Sequence, residues 1–302
     1  MKEHSLFLYA LDPTHIGAGG YRLGRVDNTV MRDAATNLPK IPGSSINGAC
    51  RAAAIYSLND EQRTKAMDYA RATLKSQKEP RPHAGKEDPV AQFFGYAEGD
   101  EQGASQIGMV SFRDAHILAF PVPTMNGPRW VTTKQRLQDA RCENVPEPEN
   151  VTQILAQPQA NTAARLNLGW LLLNTRSISL PFPTTLIEKS PMTMSQIKKN
   201  LLIVDEDLFP SIVNSNLEVR TSVSIDFETG AATSGALFTY EAVPRGTLYQ
   251  TTVNFDDDRF SGHYGTANQL IDKAMSLACQ LGLGGMTTRG FGRMQALWGE
   301  VQ

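Results

Sequence analysis

One long stretch near the N-terminus limits what this chain can fold into more than any other part of the sequence. It runs from His15 to Arg51, after a predicted apolar strand, Ser5 to Leu11, and into a predicted helix that begins at Gly43. Loops of such length in compact domains are usually functional or disordered. Its glycine cluster permits close backbone approach, and its arginines suit an anionic ligand. The stretch therefore predicts a strand, a functional loop and a helix at the start of the fold.

A lone carboxylate, Asp27, lies among the arginines of this loop. An acid in a basic, glycine-rich loop is either a salt-bridge partner, here for Arg25 or Arg32, or a group that acts on a bound ligand. The stretch contains only one other carboxylate, Asp33. A tight metal site built from protein ligands alone is therefore not expected.

The overall charge gives no sign of a strongly basic protein. The chain has 302 residues, 29 lysines and arginines, 31 aspartates and glutamates, and a formal net charge of −2. Such a balance argues against nucleic-acid binding when taken globally, but a near-neutral protein can still carry a basic groove. No apolar run is long enough to span a membrane, no signal peptide is predicted, and three scattered cysteines suggest no disulfide framework. We expect a cytoplasmic protein without a membrane partner.

The order of predicted elements indicates an α+β fold. Strands before, between and after helices favour an antiparallel sheet with helices on one face, as in a ferredoxin-like core. We expect a single domain over residues 1–302, with insertions at about 59–105 and 134–165. The main predicted elements of the second half are a strand at Ile178 to Leu180, a β-hairpin over about 217–241 with its turn at Thr229-Gly230, a helix from Thr266 to Leu281 and a last strand from Gln295 to Trp298.

A second glycine-rich run, from Gly282 to Gly292, follows a predicted helix rather than preceding one. Dinucleotide-binding and P-loop motifs place their glycines before a helix, so neither applies. The run either ends the helix and turns into a strand, or binds an anion through the amides of Gly284 and Gly285 with Arg289 and Arg293.

The predicted helix at Gly43 offers another set of polar groups. Ser44 or Ser45 is the expected N-cap. Ser45 and Asn47 are also placed to donate hydrogen bonds to a phosphate.

Several motifs together resemble the RAMP superfamily of CRISPR-associated proteins, and within it the backbone subunits of the type III-B effector, the Cmr complex. They follow the order of that family and cover most of the chain. These motifs are PTHIGAGG, LGRVDNTVMRD, LPKIPGSSINGACR, FFG, GMVSFRDAHILAFPV, GPRWVTT, VRTSVSIDFETGAA, LFTYEAVPRGTLY and GLGGMTTRGFGRM.

The resemblance implies a ferredoxin-like core related to the RNA-recognition fold, with copies stacked head-to-tail along a CRISPR guide RNA. Each copy projects a β-hairpin thumb that kinks the guide–target duplex, and an acidic residue after the first strand supports cleavage. By motif position that acid is Asp27, with Glu241 near the cleavage centre. The residues assigned to the thumb are Thr221, Ser222, Ile225 and Thr229, and those assigned to guide-RNA phosphates are Arg32, Arg51, Arg289 and Arg293.

Cleavage of this kind proceeds by in-line attack of a 2′-OH on the adjacent phosphate. Asp27 would act as general base or hold a loosely bound, hydrated Mg²⁺ or other divalent cation. His15 is a candidate general acid or phosphate contact, but a histidine at this place often only bonds loop backbone. Glu241 is alternatively a carboxylate on a strand surface.

The sequence thus predicts an RNA-guided endoribonuclease that is active in its assembled complex. Its expected partners are the guide RNA, a single-stranded target RNA, further copies of itself and other Cmr subunits. The alternative is a non-catalytic RNA-packaging subunit of a class 1 CRISPR complex, in which Asp27 only orders its loop.

Overall fold

The computed structural model describes residues 1–19, 26–75, 88–97, 105–160, 163–233, 236–258 and 262–301. Arg22 and Arg25, two of the arginines in the long loop, lie outside these ranges. The elements of the N-terminal half are β1 (Lys2–Ala10), β2 (Lys40–Ile41), α1 (Gly43–Tyr56), α2 (Asp60–Lys75), α3 (Pro89–Phe94), β3 (Gly95–Ala97), β4 (Ser105–Ile107), β5 (Val110–Phe112), β6 (Ala115–Val122), β7 (Arg129–Thr132), α4 (Lys134–Asp139) and β8 (Gln153–Ala156).

The C-terminal half adds further strands and helices, together with short 3₁₀ turns. Its elements are β9 (Arg165–Leu168), β10 (Leu171–Ser177), α5 (Thr184–Lys189), α6 (Pro191–Lys199), β11 (Leu201–Ile203), α7 (Phe209–Ser215), β12 (Glu218–Ser222), β13 (Phe238–Ala242), β14 (Leu248–Phe255), α8 (Tyr264–Leu281) and β15 (Met294–Val301). Most of the expected elements are present, with boundaries shifted by a few residues.

Most strands belong to one large sheet in the order β15-β1-β14-β6-β7-β11-β8-β10-β9. The four strands from β15 to β6 are paired antiparallel, as expected. The expectation of a wholly antiparallel sheet is wrong, because β7 and β11 are parallel, and so are β8 and β10. Parallel neighbours require a long crossover. The chain between β7 and β11 provides it, and β8 from the polar segment 134–165 lies inside the sheet.

Helices cover both faces of the sheet rather than one. Because side chains alternate along a strand, Leu6 and Leu8 of β1 face one core with residues of α1 and α8, and Phe7 faces another. The second core contains Leu186 of α5 and Met194 of α6. The sheet is therefore the middle layer of three.

The start of α1 also differs from expectation. Pro42 is the N-cap, and neither serine caps the helix with its side chain. Instead, the carboxylate of Asp114 accepts a hydrogen bond from the backbone N–H of Gly43 at 2.8 Å. The same carboxylate forms an ion pair with Lys40 at 2.7 Å. A Cβ on Gly43 would lie 2.2 Å from the carbonyl oxygen of Phe112. Helix α1 thus begins against β5, where only glycine fits.

The strand expected at Ile178 to Leu180 does not form. This segment is held by single bonds instead, from the Ile178 N–H to the carbonyl of Ala156 and from the Leu180 N–H to the side chain of Gln157. Pro181 and Pro183 follow at once and remove the donors that a continued ladder needs.

Among the helices in the described ranges, none is long and apolar enough to cross a membrane. All three cysteines are free.

Candidate functional site

Three segments that are far apart in sequence meet beyond the C-terminal end of strand β1. They are the loop after β1, the base of the β12–β13 hairpin and the glycine-rich loop after α8. Thr14 and Val243 exchange two backbone hydrogen bonds of 2.8 Å. The N–H of Gly285 donates to the carbonyl of His15 at 2.9 Å. The predicted catalytic and anion-binding segments are therefore in direct contact, and the amide of Gly285, which was expected to bind an anion, is bonded to the protein instead.

The carboxylate of Asp27 is attached to strand β13. Its Oδ2 accepts the backbone N–H of Thr239 at 2.7 Å and the hydroxyl of Thr239 at 2.9 Å. The N–H of Asp27 in turn donates to the same hydroxyl oxygen at 3.1 Å. The side chain of Asp27 is exposed, and the N–H bond from Thr239, followed by the hydroxyl bond, lowers the pKa of Asp27. Asp27 is therefore an ionised group held at a defined place on the surface.

The backbone explains why this side chain takes the N–H of Thr239. Asn28 pairs in parallel with Tyr240: its N–H donates to the carbonyl of Thr239, and its own carbonyl accepts the N–H of Glu241. One step further along a regular parallel ladder, the N–H of Thr239 would donate to a main-chain carbonyl. The carboxylate of Asp27 takes that position and ends the pairing.

The alternative that Asp27 is a salt-bridge partner of Arg32 is wrong. Arg32 instead forms an ion pair with Glu241 at 2.9 Å, in which each side chain is 16% exposed. Arg32 also donates to the side chain of Asn214 at 3.1 Å and to the carbonyl of Val30 at 3.2 Å. The N–H of Val30 donates to Glu241 at 3.2 Å. Both Arg32, assigned to guide RNA, and Glu241, assigned to the cleavage centre, thus have internal partners.

His15 contacts strand β13 through its side chain. Its Nδ1 is 2.6 Å from the backbone carbonyl of Glu241, so this nitrogen donates its hydrogen. His15 is 5% exposed, and its ring packs edge-on against Tyr240, with ring centroids 6.0 Å apart. His15 thus bonds to main chain, as the alternative to a chemical role expected, but the carbonyl belongs to strand β13 and not to the loop of His15.

A small aromatic cluster supports the base of the hairpin. Tyr240 and Phe291 are buried with ring centroids 5.5 Å apart, and the guanidinium of Arg220 lies 4.9 Å from the centre of the Phe291 ring. Since Phe291 belongs to the glycine-rich loop, this cluster fixes that loop to the hairpin.

The glycine-rich loop has a structural reason for part of its composition. Gly284 has φ +96°, and a Cβ there would lie 2.6 Å from the carbonyl oxygen of His15. The two arginines of the loop differ: Arg293 forms a bidentate pair with Asp12 at 2.5 and 3.2 Å, whereas Arg289 is exposed with no side-chain partner among the described residues. Arg289 is thus the loop arginine whose charge is available to a ligand.

Helix α1 presents the other predicted phosphate contacts. Asn47 and Arg51 are one turn apart and share a face, and both are partly exposed. Ser45 is also partly exposed, and its backbone N–H donates to the carbonyl of Pro42 at 2.9 Å. These polar groups remain available for ligand contacts.

The predicted thumb residues lie along the hairpin. Thr221 and Ser222 are in β12, and Thr221 faces Thr239 across the pair. Ile225 bridges to Ala232 near the tip, and Thr229 is fixed by the side chain of Asp226, whose pKa is lowered by that N–H bond. The sequence reasoning did not select Phe227, which is fully exposed beside this turn.

A family model gives the wider context of this geometry. Residues 7–295 match the model of the RAMP superfamily. The chain belongs to the RAMP superfamily. The resemblance drawn from the ordered motifs is thereby confirmed.

A curated relative and two solved structures are similar over almost the same length. The relative is CRISPR system Cmr endoribonuclease Cmr4 of Pyrococcus furiosus, 26% identical over 275 residues, which cover 84% of this chain and 81% of the relative. A chain of a type III-B Cmr-beta complex in its apo state has a TM-score of 0.65 at 16% identity, covering 98% of this chain and 96% of that one. Oligomeric Cmr4 from Pyrococcus furiosus has a TM-score of 0.63 at 18% identity, covering 100% and 99%. These structures share the fold of this RAMP protein, an α+β fold with a large mixed sheet.

Three residues of this RAMP protein acquire a role only from the structure. They are Thr239, which binds Asp27, Asp12, which holds Arg293, and Asp114, which anchors α1. Burial of Asp114 is slight, and its hydrogen bond from Lys40 lowers the pKa of this carboxyl. Asp114 belongs to the motif GMVSFRDAHILAFPV, where Arg113 and Asp114 are the only two adjacent charged residues, between apolar runs. That position is the feature of the sequence that could have identified Asp114.

The donor set at Asp27 fits only a weakly held cation. In the described ranges no group of three or more metal-ligating side chains exists. Oδ1 of Asp27 has no hydrogen-bond partner among those residues, since both bonds from Thr239 go to Oδ2. One free carboxylate oxygen is compatible with a mostly hydrated Mg²⁺ and incompatible with an all-protein cage.

Proposed function

We propose that this protein is a backbone subunit of a type III-B Cmr complex and that it cleaves target RNA paired with the guide RNA. The observation that carries the proposal is the attachment of Asp27 to the base of a projecting hairpin, in a chain whose curated relative is named a Cmr endoribonuclease. The activity belongs to the assembled complex, because the RNA is bound by successive copies.

The strand order supports a ferredoxin-like core. Strands β15-β1-β14-β6 lie in the order 4-1-3-2 of a βαββαβ unit, and α1 and α8 cover one face of them. In the RNA-recognition version of this fold, the opposite sheet face binds RNA. Here α5 and α6 cover that face, so we place the RNA at the loops and the hairpin instead.

The hairpin fits the role of a thumb. Its tip carries exposed apolar side chains, Ile225 and Phe227, that are suited to contact with an unstacked base. Base displacement from a duplex costs a few kcal/mol, which such contacts offset. Because β13 also holds Asp27, the displaced nucleotide and the carboxylate would be set by the same element.

The chemistry proposed for Asp27 requires its ionised form. In-line attack forms a bond from the 2′-oxygen to phosphorus and breaks the bond to the 5′-oxygen, which leaves a 2′,3′-cyclic phosphate and a 5′-hydroxyl. The 2′-OH loses a proton, the departing 5′-oxygen takes one from solvent, and the phosphate carries more negative charge in between. Asp27 would take the proton or hold a hydrated divalent cation through Oδ1, and such a cation supplies charge stabilisation. The depressed pKa of Asp27 keeps the carboxylate charged well below neutral pH.

Guide RNA is the proposed ligand of the loops. Arg289, Arg51 and Asn47 are exposed or partly exposed polar groups without internal side-chain partners in the part of the chain that the structure describes. Phosphate contacts of this kind are independent of sequence, which suits a protein that leaves base recognition to pairing. We also propose that this protein binds further copies of itself and other Cmr subunits, and that it is located in the cytoplasm.

The decisive experiment compares Asp27→Asn with Asp27→Ala in the reconstituted complex. Asparagine keeps an oxygen that accepts the bonds from Thr239 and removes only the charge. We expect both variants to assemble and to bind RNA, and both to lose target cleavage. Cleavage by the wild-type complex is measured with and without EDTA, to test whether it needs a divalent cation.

A packaging subunit predicts no target cleavage by this subunit even in the wild-type complex, whereas a purely structural role of Asp27 in a cleaving subunit makes the opposite prediction for one variant. If Asp27 only ends the pairing with β13, Asp27→Asn keeps the loop in place. Regularly spaced cleavage by the assembled Asp27→Asn complex would therefore overturn the catalytic assignment.

A further inference from the structure

Strand β13 holds the proposed catalytic carboxylate through one residue. Thr239 supplies both donors to Oδ2 of Asp27 and also accepts the N–H of Asp27. These three bonds form a closed contact between residues that are 212 positions apart.

We propose that Thr239 is a positioning residue for target cleavage, which fixes Oδ2 of Asp27 and leaves Oδ1 for the substrate or its cation. The proposal rests on the proposed function and adds the residue that orients its catalytic group. Thr239 does not touch the reacting atoms and acts only through Asp27.

The surroundings of Asp27 leave Thr239 as its only described side-chain partner. Arg32 is paired with Glu241, and the His15 ring is bonded to the backbone of Glu241. No charged group in the described ranges contributes to the lowered pKa of Asp27. Arg22 and Arg25 lie outside those ranges.

The position of Thr239 gives this contact a second consequence. Thr239 faces Thr221 across the hairpin, and the hairpin continues beyond both residues to the exposed tip. A shift of β13 on binding RNA therefore moves Asp27 with it, since the carboxylate is bonded to the backbone N–H as well as to the hydroxyl. Orientation of Asp27 thus depends on the hairpin.

The test uses Thr239→Val and Thr239→Ser in the reconstituted complex with guide and target RNA. Valine has nearly the same shape but lacks the hydroxyl, whereas serine retains it. We expect Thr239→Val to lower the single-turnover cleavage rate by about ten-fold, the order expected for loss of an oriented bond to a charged group. Target affinity stays the same, and Thr239→Ser restores most of the rate.

The pH profile separates positioning from a merely structural role. Since the hydroxyl bond helps to lower the pKa of Asp27, its loss moves the acid limb of the rate profile to higher pH. Thr193→Val on α6, the same substitution on another part of the fold, is the control and leaves rate and profile unchanged.

The outcomes distinguish the two proposals. If Asp27→Asn is inactive but Thr239→Val cleaves with wild-type rate and pH profile, Thr239 is not a positioning residue. Loss of rate in Thr239→Val without rescue by serine also overturns it. If Asp27→Asn cleaves normally, the proposed function itself fails.

Discussion

Arg32 and Glu241 form a largely buried ion pair that joins the long loop to the hairpin, with 2.9 Å between the guanidinium nitrogen and the carboxylate oxygen. Glu241 lies two residues after Thr239 on strand β13. Because Asn214 of α7 also accepts a bond from Arg32, three separate segments are connected at this point.

Replacement of either partner should destabilise the protein. We expect Arg32→Ala and Glu241→Ala each to lower the free energy of unfolding by about 2 kcal/mol, since each leaves a poorly solvated charge without its partner. A double-mutant cycle from denaturant unfolding should give a coupling energy of about 1–3 kcal/mol. Lys134→Ala, in the exposed pair with Glu147, should cost less than about 1 kcal/mol. Additive effects of the two substitutions would contradict this role.

The two arginines of the glycine-rich loop should differ in their effect on RNA binding. Arg289 is free to contact phosphate, whereas Arg293 is held by Asp12, whose hydrogen bond raises the pKa of Arg293. We expect Arg289→Ala to weaken guide binding for all sequences and to reduce the salt slope by about 1. Arg293→Ala should have a smaller effect on the slope. Binding measured across a salt series, with Lys134→Ala as the charge-matched control, decides between them. Equal slopes for wild type and Arg289→Ala would make the loop a structural turn.

Close approach of two backbones should make Gly284 intolerant of a side chain. At Gly284→Ala, the added Cβ meets the His15 carbonyl and the Ile16 side chain at a positive φ. We expect a loss of about 2 kcal/mol or more. Gly290 also has a positive φ but open space around it, so Gly290→Ala should cost only about 1 kcal/mol. The difference, measured by thermal unfolding, isolates the steric part. Similar costs at both positions would remove the packing explanation.

The stability of the α1 anchor should depend on pH with a definite sign. Asp114 has a folded-state pKa below its ordinary value of 3.8, mainly through the bond from Lys40. Its contribution is therefore complete above the unfolded pKa and is lost as pH falls through the lower folded value.

Asp114→Asn tests that dependence. We expect a lower Tm than wild type at neutral pH and a difference that shrinks as pH falls below about 4. Asp207→Asn, at an exposed carboxylate before α7, is the control and should change Tm little at any pH. A constant difference across the pH range would exclude the charge of Asp114 as the cause.

Much of this protein follows from sequence alone. The ordered motifs identify the superfamily, and periodicity locates β1, α1, α8 and β15, because these elements bury one face at a regular spacing. An acid among arginines and glycines is a local pattern, so Asp27 stands out without a structure.

Tertiary structure decided which groups those residues meet. Of the arginines that the sequence offered as partners of Asp27, Arg32 pairs with Glu241, and the described partner of Asp27 is Thr239, which lies 212 residues away. Likewise, Arg293 meets Asp12 across 281 residues, and β7 lies parallel to β11 after a long crossover. Local patterns carry no information on such contacts, since they depend on which elements pack together. Sequence alone thus singles out Asp27 as a candidate functional residue, but the orientation of its carboxylate is set by Thr239 of the hairpin.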